Sequence, residues 1–393
     1  MKKKLLFIMP ALGSGGAEKA LTTLLNLFDF DSYDVDLFLF RRQGLFLSNV
    51  PPQVNIIDGG KDYELFDASA SACIKSSVKK LNFSLAANRM KYAKALESGN
   101  KTAIWNCIKK ALAKIDKHYD IAVAYLEGNS IYYCVDCVDA DFKIGYVHND
   151  YNGLGLDKNF DRPYFEKLDY LVSVSDECVS VLKEIFPEFE SKIKLMLNIV
   201  SPKILESLGK KDAEEYKNND AKKLLTVGRF SSQKGYDMAV NAADILNRKG
   251  YDFKWYSIGK GQLEEQIKEQ IRSLGIEDKF ILLGERSNPY PYIKNCDIYV
   301  QPSYFEGKSI AIDEAKIFRK PIVCTSFPTV YDQLTDNETA LLAQINAESI
   351  AEKIEELLNS EELCKKLSNN LSKEKAGNEE EIDKFYTLLE GKL

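Results

Sequence analysis

Asp297-Ile298-Tyr299-Val300-Gln301-Pro302-Ser303-Tyr304-Phe305-Glu306-Gly307-Lys308-Ser309-Ile310-Ala311-Ile312-Asp313-Glu314-Ala315 reads as a strand, a turn and a helix in succession. The apolar run 297–300 and Pro302 lead into a loop at Gly307, where the backbone can turn tightly and approach a ligand. Ser309 is placed to cap a helix continuing over 311–318. The start of such a helix offers free backbone N–H groups and the positive end of a dipole, which suits phosphate or sugar hydroxyls. Two carboxylates bracket the turn, Glu306 before it and Glu314 about one turn inside the helix.

The same unit recurs on either side. Strands are expected at 223–227, 253–258, 280–283 and 321–324, and earlier at 4–9, 35–40, 54–57, 121–125, 143–147 and 170–174. Helical stretches, among them 101–117 and 176–185, lie between several of them. Alternation of this kind predicts α/β architecture with doubly wound parallel sheets. The pattern pauses near 198–202, and a polar stretch at 208–222 leads into a fresh strand. Two Rossmann-like domains are therefore expected, 1–200 and 201–375. In the remaining 376–393, Ile382, Phe385, Tyr386, Leu388 and Leu389 form an apolar set able to dock on the first domain.

Bulk properties narrow the function classes. The chain has 393 residues, 45% hydrophobic and 28% charged, with net charge −6, so no nucleic-acid partner is expected. The lysine-rich start is followed by a short apolar run that Pro10 and Gly13 interrupt, so it reads as a first strand and not a signal peptide. No stretch has the length of a transmembrane helix. Eight scattered cysteines fit reduced thiols and a cytoplasmic protein. Cys134 and Cys137 lack a second pair or a suitably spaced histidine and read as helix packing residues, not a zinc site. Asp34-Val35-Asp36 and Asp139-Ala140-Asp141 read as polar strand entries, so no metal is expected. The loop Gly13-Ser14-Gly15-Gly16-Ala17-Glu18 fails the dinucleotide fingerprint, because Glu18 stands where the third glycine belongs.

Cationic chemistry opens the second domain. In Val227-Gly228-Arg229-Phe230-Ser231-Ser232-Gln233-Lys234-Gly235 a strand ends and Arg229 and Lys234 follow on the connecting loop. An arginine fork beside a lysine point charge suits a diphosphate. Gly259-Lys260-Gly261 and Leu283-Gly284-Glu285-Arg286 end two more strands, so one crevice collects all these turns and the Glu306 turn.

Gly-Gly-Ala-Glu at 15–18, Gly-Arg-Phe-Ser-Ser-Gln-Lys-Gly at 228–235, Gly-Lys-Gly at 259–261 and Glu-x7-Glu at 306–314 together resemble glycosyltransferase family 4 across the whole chain. The resemblance implies a retaining, hexosyltransferase-type enzyme of GT-B fold, with two domains facing a cleft and a C-terminal helix returning to the first. It implies a nucleotide-diphosphate sugar as donor substrate and no cofactor. Arg229 and Lys234 would hold the donor diphosphate, Glu314 the ribose hydroxyls, and Arg286 would lie near the base. Glu306 and the N–H groups of Gly307, Lys308, Ser309 and Ile310 would grip sugar and phosphate, while Gly15 and Gly16 let the first domain approach. His148, at a strand end, matches the family's histidine facing the donor sugar, whereas His118 reads as a surface residue. Many members have a Gly-Phe-Gly-type turn where this chain has Gly307-Lys308-Ser309. Front-face attack is the family's usual assignment, and the residues leave double displacement open.

One region departs from the acidic average. Lys75, Lys79, Lys80, Arg89, Lys91 and Lys94, continuing to Lys117, are opposed only by Glu97 and Asp116, with Phe83, Met90, Tyr92, Ile104 and Trp105 interleaved. The stretch suits an anionic membrane surface as well as a solvated helical face, which would place the protein on the inner face of the plasma membrane. The resemblance implies a glycan or lipid-linked acceptor in cell-surface polysaccharide or glycolipid synthesis. A nucleotide-sugar epimerase of the same fold and a catalytically silent sugar-nucleotide-binding partner stay open as alternatives.

Overall fold

The computed structural model describes every residue except Met1, Ser14, Asn218, Asn219 and Ser287, and all side chains of the others but Ile204. Ser14 of the glycine loop and Asn218 and Asn219 of the polar stretch thus lie outside the described residues. The first sheet contains β1 (Lys3–Met9), β2 (Tyr33–Leu39), β3 (Asn55–Asp58), β4 (Tyr119–Ala124), β5 (Ala140–Val147), β6 (Tyr170–Ser173) and β7 (Ile193–Leu195). The second contains β8 (Lys222–Val227), β9 (Phe253–Ile258), β10 (Phe280–Gly284), β11 (Ile298–Gln301), β12 (Ile322–Thr325) and β13 (Leu341–Ala343).

Both sheets are parallel and share one winding. The first runs β3-β2-β1-β4-β5-β6-β7 and the second β10-β9-β8-β11-β12-β13. Register places Leu5 beside Val35 on one side and Ile121 on the other. Helices cover both faces, so the central strands read as continuous apolar runs, and Leu5, Leu6, Phe7, Ile8 and Met9 are all fully buried. The direction in which strands are added across the sheet reverses between β1 and β4 and again between β8 and β11, and ligands bind outside the carboxyl ends of strands at such switch points.

Local differences from the sequence expectation have tertiary causes. The helix expected over 101–117 is Lys101–Ala111, because Leu112 turns extended and Ala113 N–H donates to the Gly59 carbonyl at 2.8 Å. The short strands β7 and β13 were not legible, since each has only three residues. Asp36 lies inside β2 and not at its entry, buried against Tyr119 Oη at 2.6 Å and Lys117 Nζ at 2.7 Å.

After β13 the chain forms helices Ala347–Asn359, Glu361–Leu371 and Glu381–Leu389. The last lies on the first sheet's domain: Phe385 stacks on Phe7 with centroids 6.1 Å apart, and Tyr386 stacks on Tyr33 at 5.9 Å. Tyr386 Oη accepts the Asp29 N–H at 2.7 Å. The two crossing segments are tied by Asn378, whose Oδ1 accepts Val200 N–H at 2.8 Å and whose Nδ2 donates to the Asn198 carbonyl at 2.9 Å. Among the described residues no helix is long and apolar enough to cross a membrane.

Candidate active site

A cleft between the two sheets collects the strand ends at both switch points. Its lining includes Gly15, Gly16, His148, Arg229, Lys234, Arg286, Glu306, Lys308, Ser309, Ile310 and Glu314, all expected from the sequence. Gly307 stands at the same wall, where an added Cβ would collide with the His148 carbonyl oxygen. The turn containing Glu306 therefore meets the His148 loop of the opposite domain through backbone atoms, a contact only glycine permits.

The second domain's wall is a dense polar cluster. Lys234 Nζ is ion-paired with Glu306. Glu306 also accepts from Ser303 Oγ at 2.6 Å, Gln301 Nε2 at 3.0 Å and Gln233 Nε2 at 3.2 Å, and is only 5% exposed. This network explains how a carboxylate stays buried at a strand end. Gly235, with φ of 60°, turns the chain from Lys234 into the helix Tyr236–Arg248, and its lack of a Cβ lets the Pro302 carbonyl approach.

The helix after the turn is Ile310–Ile317. Ser309 occupies the cap position, yet its hydroxyl makes no capping bond and is buried without a partner, which corrects the expected role. Ser309 N–H is likewise not free, since it donates to Gln333 Oε1 at 2.9 Å. Gln333 closes the loop by donating to the Ser309 carbonyl at 2.9 Å and to Asp313 Oδ1 at 2.8 Å. Lys308 Nζ lies 3.9 Å from Asp313 Oδ2. Glu314 is 1% exposed and accepts from Tyr290 Oη at 3.2 Å, so it is no solvated helix residue.

The first domain contributes charges that sequence reading passed over. Helix Gly16–Asn26 begins at the glycine loop and presents Glu18 and Lys19 to the cleft. Lys19 Nζ pairs with Glu314 and lies 4.6 Å from the Tyr290 ring centroid. Arg229 Nη2 reaches Glu18 Oε1 at 3.4 Å. Burial, the largest influence, raises the Glu18 carboxyl above its ordinary pKa, opposed by Arg229 and assisted by Glu127. Glu18 stands in the sequence as the residue that breaks the dinucleotide fingerprint and ends the Gly-Gly-Ala-Glu motif, with no charge role expected of it, and the Glu-Lys pair at a helix start is the signal available. Arg286 pairs with Glu215 at 2.6 Å, which fixes its guanidinium in the cleft lining.

His148 is enclosed, and its ring lies 5.1 Å from Tyr125 and 5.5 Å from Tyr146. Burial pushes its pKa down to about 3, so the imidazole is neutral near pH 7. His118 is half-exposed between Asp139 and Asp141, at 3.1 and 3.2 Å. Among the described residues no group of three or more His, Cys, Asp or Glu side chains could hold a metal ion.

Residues 209–374 match the family model described as "Glycosyl transferases group 1". Over 373 residues the chain is 26% identical to the N-acetylgalactosamine-N,N'-diacetylbacillosaminyl-diphospho-undecaprenol 4-alpha-N-acetylgalactosaminyltransferase of Campylobacter jejuni, covering 94% of this chain and 93% of that one. It is 29% identical to the capsular polysaccharide biosynthesis glycosyltransferase CapM of Staphylococcus aureus over 37% of this chain and 38% of that protein. Among solved structures, Anabaena HepE in complex with UDP-glucose superposes with TM-score 0.70 at 14% identity, covering 100% of both chains. A point mutant of Staphylococcus aureus TarM, in complex with Fondaparinux, alpha-GlcNAc-glycerol and UDP, gives 0.67 at 14% identity over 98% of this chain and 99% of that one. The shared fold is the GT-B arrangement of two parallel-sheet, Rossmann-like domains.

Proposed function

We propose that this glycosyltransferase, whose residues 209–374 match the group 1 family model, moves a sugar from a nucleoside-diphosphate sugar to a glycan or lipid-linked glycan, with retention at the anomeric carbon. The observation that carries this reading is the meeting of Arg229, Lys234, Glu306 and Glu314 with His148 across one cleft. A diphosphate leaving group needs positive charge where its own charge grows, and Arg229, Lys234 and the start of the helix Ile310–Ile317 supply it. Glu314 suits a ribose diol once Lys19 moves away, and Glu306 suits the donor sugar's hydroxyls. The neutral imidazole of His148 can accept from or donate to a sugar hydroxyl without adding charge. Two domains closing on the cleft would keep water from the activated sugar.

The acceptor side of the reading rests on the surface of residues 70–97. Helices Ala70–Lys79 and Phe83–Glu97 and the turn between them expose Leu81 (75%), Phe83 (61%) and Met90 (62%) beside the exposed Lys75, Lys79, Lys80, Lys91 and Lys94. Trp105, expected in the same amphipathic surface, instead turns inward and donates to Asp136 at 2.8 Å. Apolar side chains ringed by lysines fit an anionic lipid surface at the inner face of the plasma membrane, where a lipid-linked acceptor would be presented.

Incubation with a panel of nucleotide sugars tests the reaction. Acceptor-dependent release of nucleoside diphosphate, with product of unchanged anomeric configuration by NMR, is the expected result. Sugar isomerisation without nucleotide release, or binding without turnover, would overturn it. Flotation with anionic liposomes tests the surface, and salt-insensitive absence of binding counts against it.

A further inference from the structure

Glu127 follows β4 and faces the cleft, yet no part of the donor chemistry above uses it. Its two oxygens take two successive residues at the end of the neighbouring strand β5. Oε2 accepts the His148 main-chain N–H at 2.9 Å, and Oε1 accepts Asn149 Nδ2 at 3.1 Å. Asn149 in turn uses its Oδ1 to accept Gln233 Nε2 at 3.3 Å. That same Gln233 nitrogen lies 3.2 Å from Glu306 Oε2 and 3.0 Å from the Phe305 carbonyl. A continuous polar chain thus runs Glu127, Asn149, Gln233, Glu306, and its middle link crosses from the first domain to the second.

We infer that Glu127 is a positioning residue, which aligns the His148 ring and the Glu306 carboxylate against each other when the domains meet. The inference rests on the transferase reading of this cleft. Three features carry it. The His148 ring is enclosed against Tyr125 and Tyr146, and Glu127 grips the backbone that carries it. Gly307 packs so closely on the His148 carbonyl that a shift of the loop would move the Glu306 turn with it. Burial is the largest influence raising the pKa of this half-buried carboxyl, opposed by the His148 and Asn149 donors. A carboxylate serving only to close the loop could be replaced by a carbonyl at less cost. The two Glu127 oxygens each take one donor, so the carboxylate holds the His148 main chain and the Asn149 side chain at separate points.

The test is a double-mutant cycle on the full chain, with Glu127→Gln, Gln233→Ala and the double variant. Wild-type turnover of the donor with acceptor is measured first, so failure of the transferase reading shows there and not in the cycle. Glu127→Gln is expected to lower kcat about tenfold or more while donor KM stays within about threefold, because alignment acts on the transition state more than on ground-state binding. The double variant is expected to be no slower than about twofold below the worse single variant, the mark of one shared chain. A kcat near wild type in Glu127→Gln, losses that multiply, or a loss confined to KM would each overturn the inference. Should Glu127→Gln fail to fold, the Asn149→Ala and Gln233→Ala cycle reads the same chain, and multiplying losses there overturn it equally.

Discussion

The ammonium of Lys19, on the first domain, is paired with Glu314, buried on the second. Arg229 reaches back the other way to Glu18, so two adjacent residues of one helix start neutralise two charges of the opposite wall. Any diol or diphosphate entering the cleft must exchange with these pairs. Lys19→Met should therefore tighten nucleoside diphosphate binding, by roughly threefold to tenfold, since Glu314 is left buried without its cation and gains more from a ligand donor. Calorimetric titration decides it, and weaker binding in the variant would show that Lys19 itself holds the ligand.

Lys234→Ala removes the cation from Glu306. Because Ser303, Gln301 and Gln233 still donate to that carboxylate, stability should fall by only roughly 1–3 kcal/mol. Turnover should fall by about a hundredfold or more, as for loss of a preorganised charge at a leaving group. Denaturant unfolding and acceptor-dependent nucleotide release measure the two effects, and wild-type rates would remove Lys234 from the site.

The buried His148 makes an acid-side prediction. Its folded pKa is depressed to about 3, whereas the unfolded chain takes up the proton near 6.5. Between those values the unfolded state binds the extra proton, so stability falls as pH falls, at up to roughly 1.4 kcal/mol per pH unit. His148→Asn should lose less stability than wild type on acidification through that window. Parallel pH profiles of the two proteins would contradict the burial argument.

His118 has the opposite sign. Its hydrogen bonds to Asp139 and then Asp141 raise its pKa above 6.5 in the folded state. The stabilisation is fully present below the unfolded value and disappears as pH rises through the raised one. His118→Ala should thus melt below wild type under mildly acidic conditions, and the difference should close toward alkaline pH.

Phe385 is 1% exposed and packs on Phe7 and Phe28, at 6.1 and 6.2 Å. Phe385→Ala should cost roughly 3–5 kcal/mol of unfolding free energy. A loss below about 1 kcal/mol would mean that the C-terminal helix is a dispensable cover.

Much of this molecule is written locally. Apolar runs ending at glycine or proline place β8, β9 and β11 within a residue of where they occur, because a strand buried on both faces needs an unbroken apolar segment. Arg229, Lys234, Glu306 and Glu314 were legible for a related reason. They stand on the connections that leave strand ends, Glu314 in the first turns of the helix that follows, and parallel winding brings every strand end to one edge. The end of the helix at Ala111 was not, since it depends on a carbonyl at Gly59, far away in the chain.

The tertiary structure alone decided who partners whom across the cleft. Glu18, Lys19, Glu127 and Gln233 carry no local pattern that says what they contact, and each acquires its meaning from a residue on another segment or domain. Lys19 meets Glu314 and Asn149 meets Gln233 only because two separately formed sheets face each other at one distance. Periodicity and turn chemistry act over a few residues, whereas these contacts follow from how two whole domains sit together. The chain's own order thus determined the fold and the charges at its strand ends, and the packing of the domains determined how those charges are held.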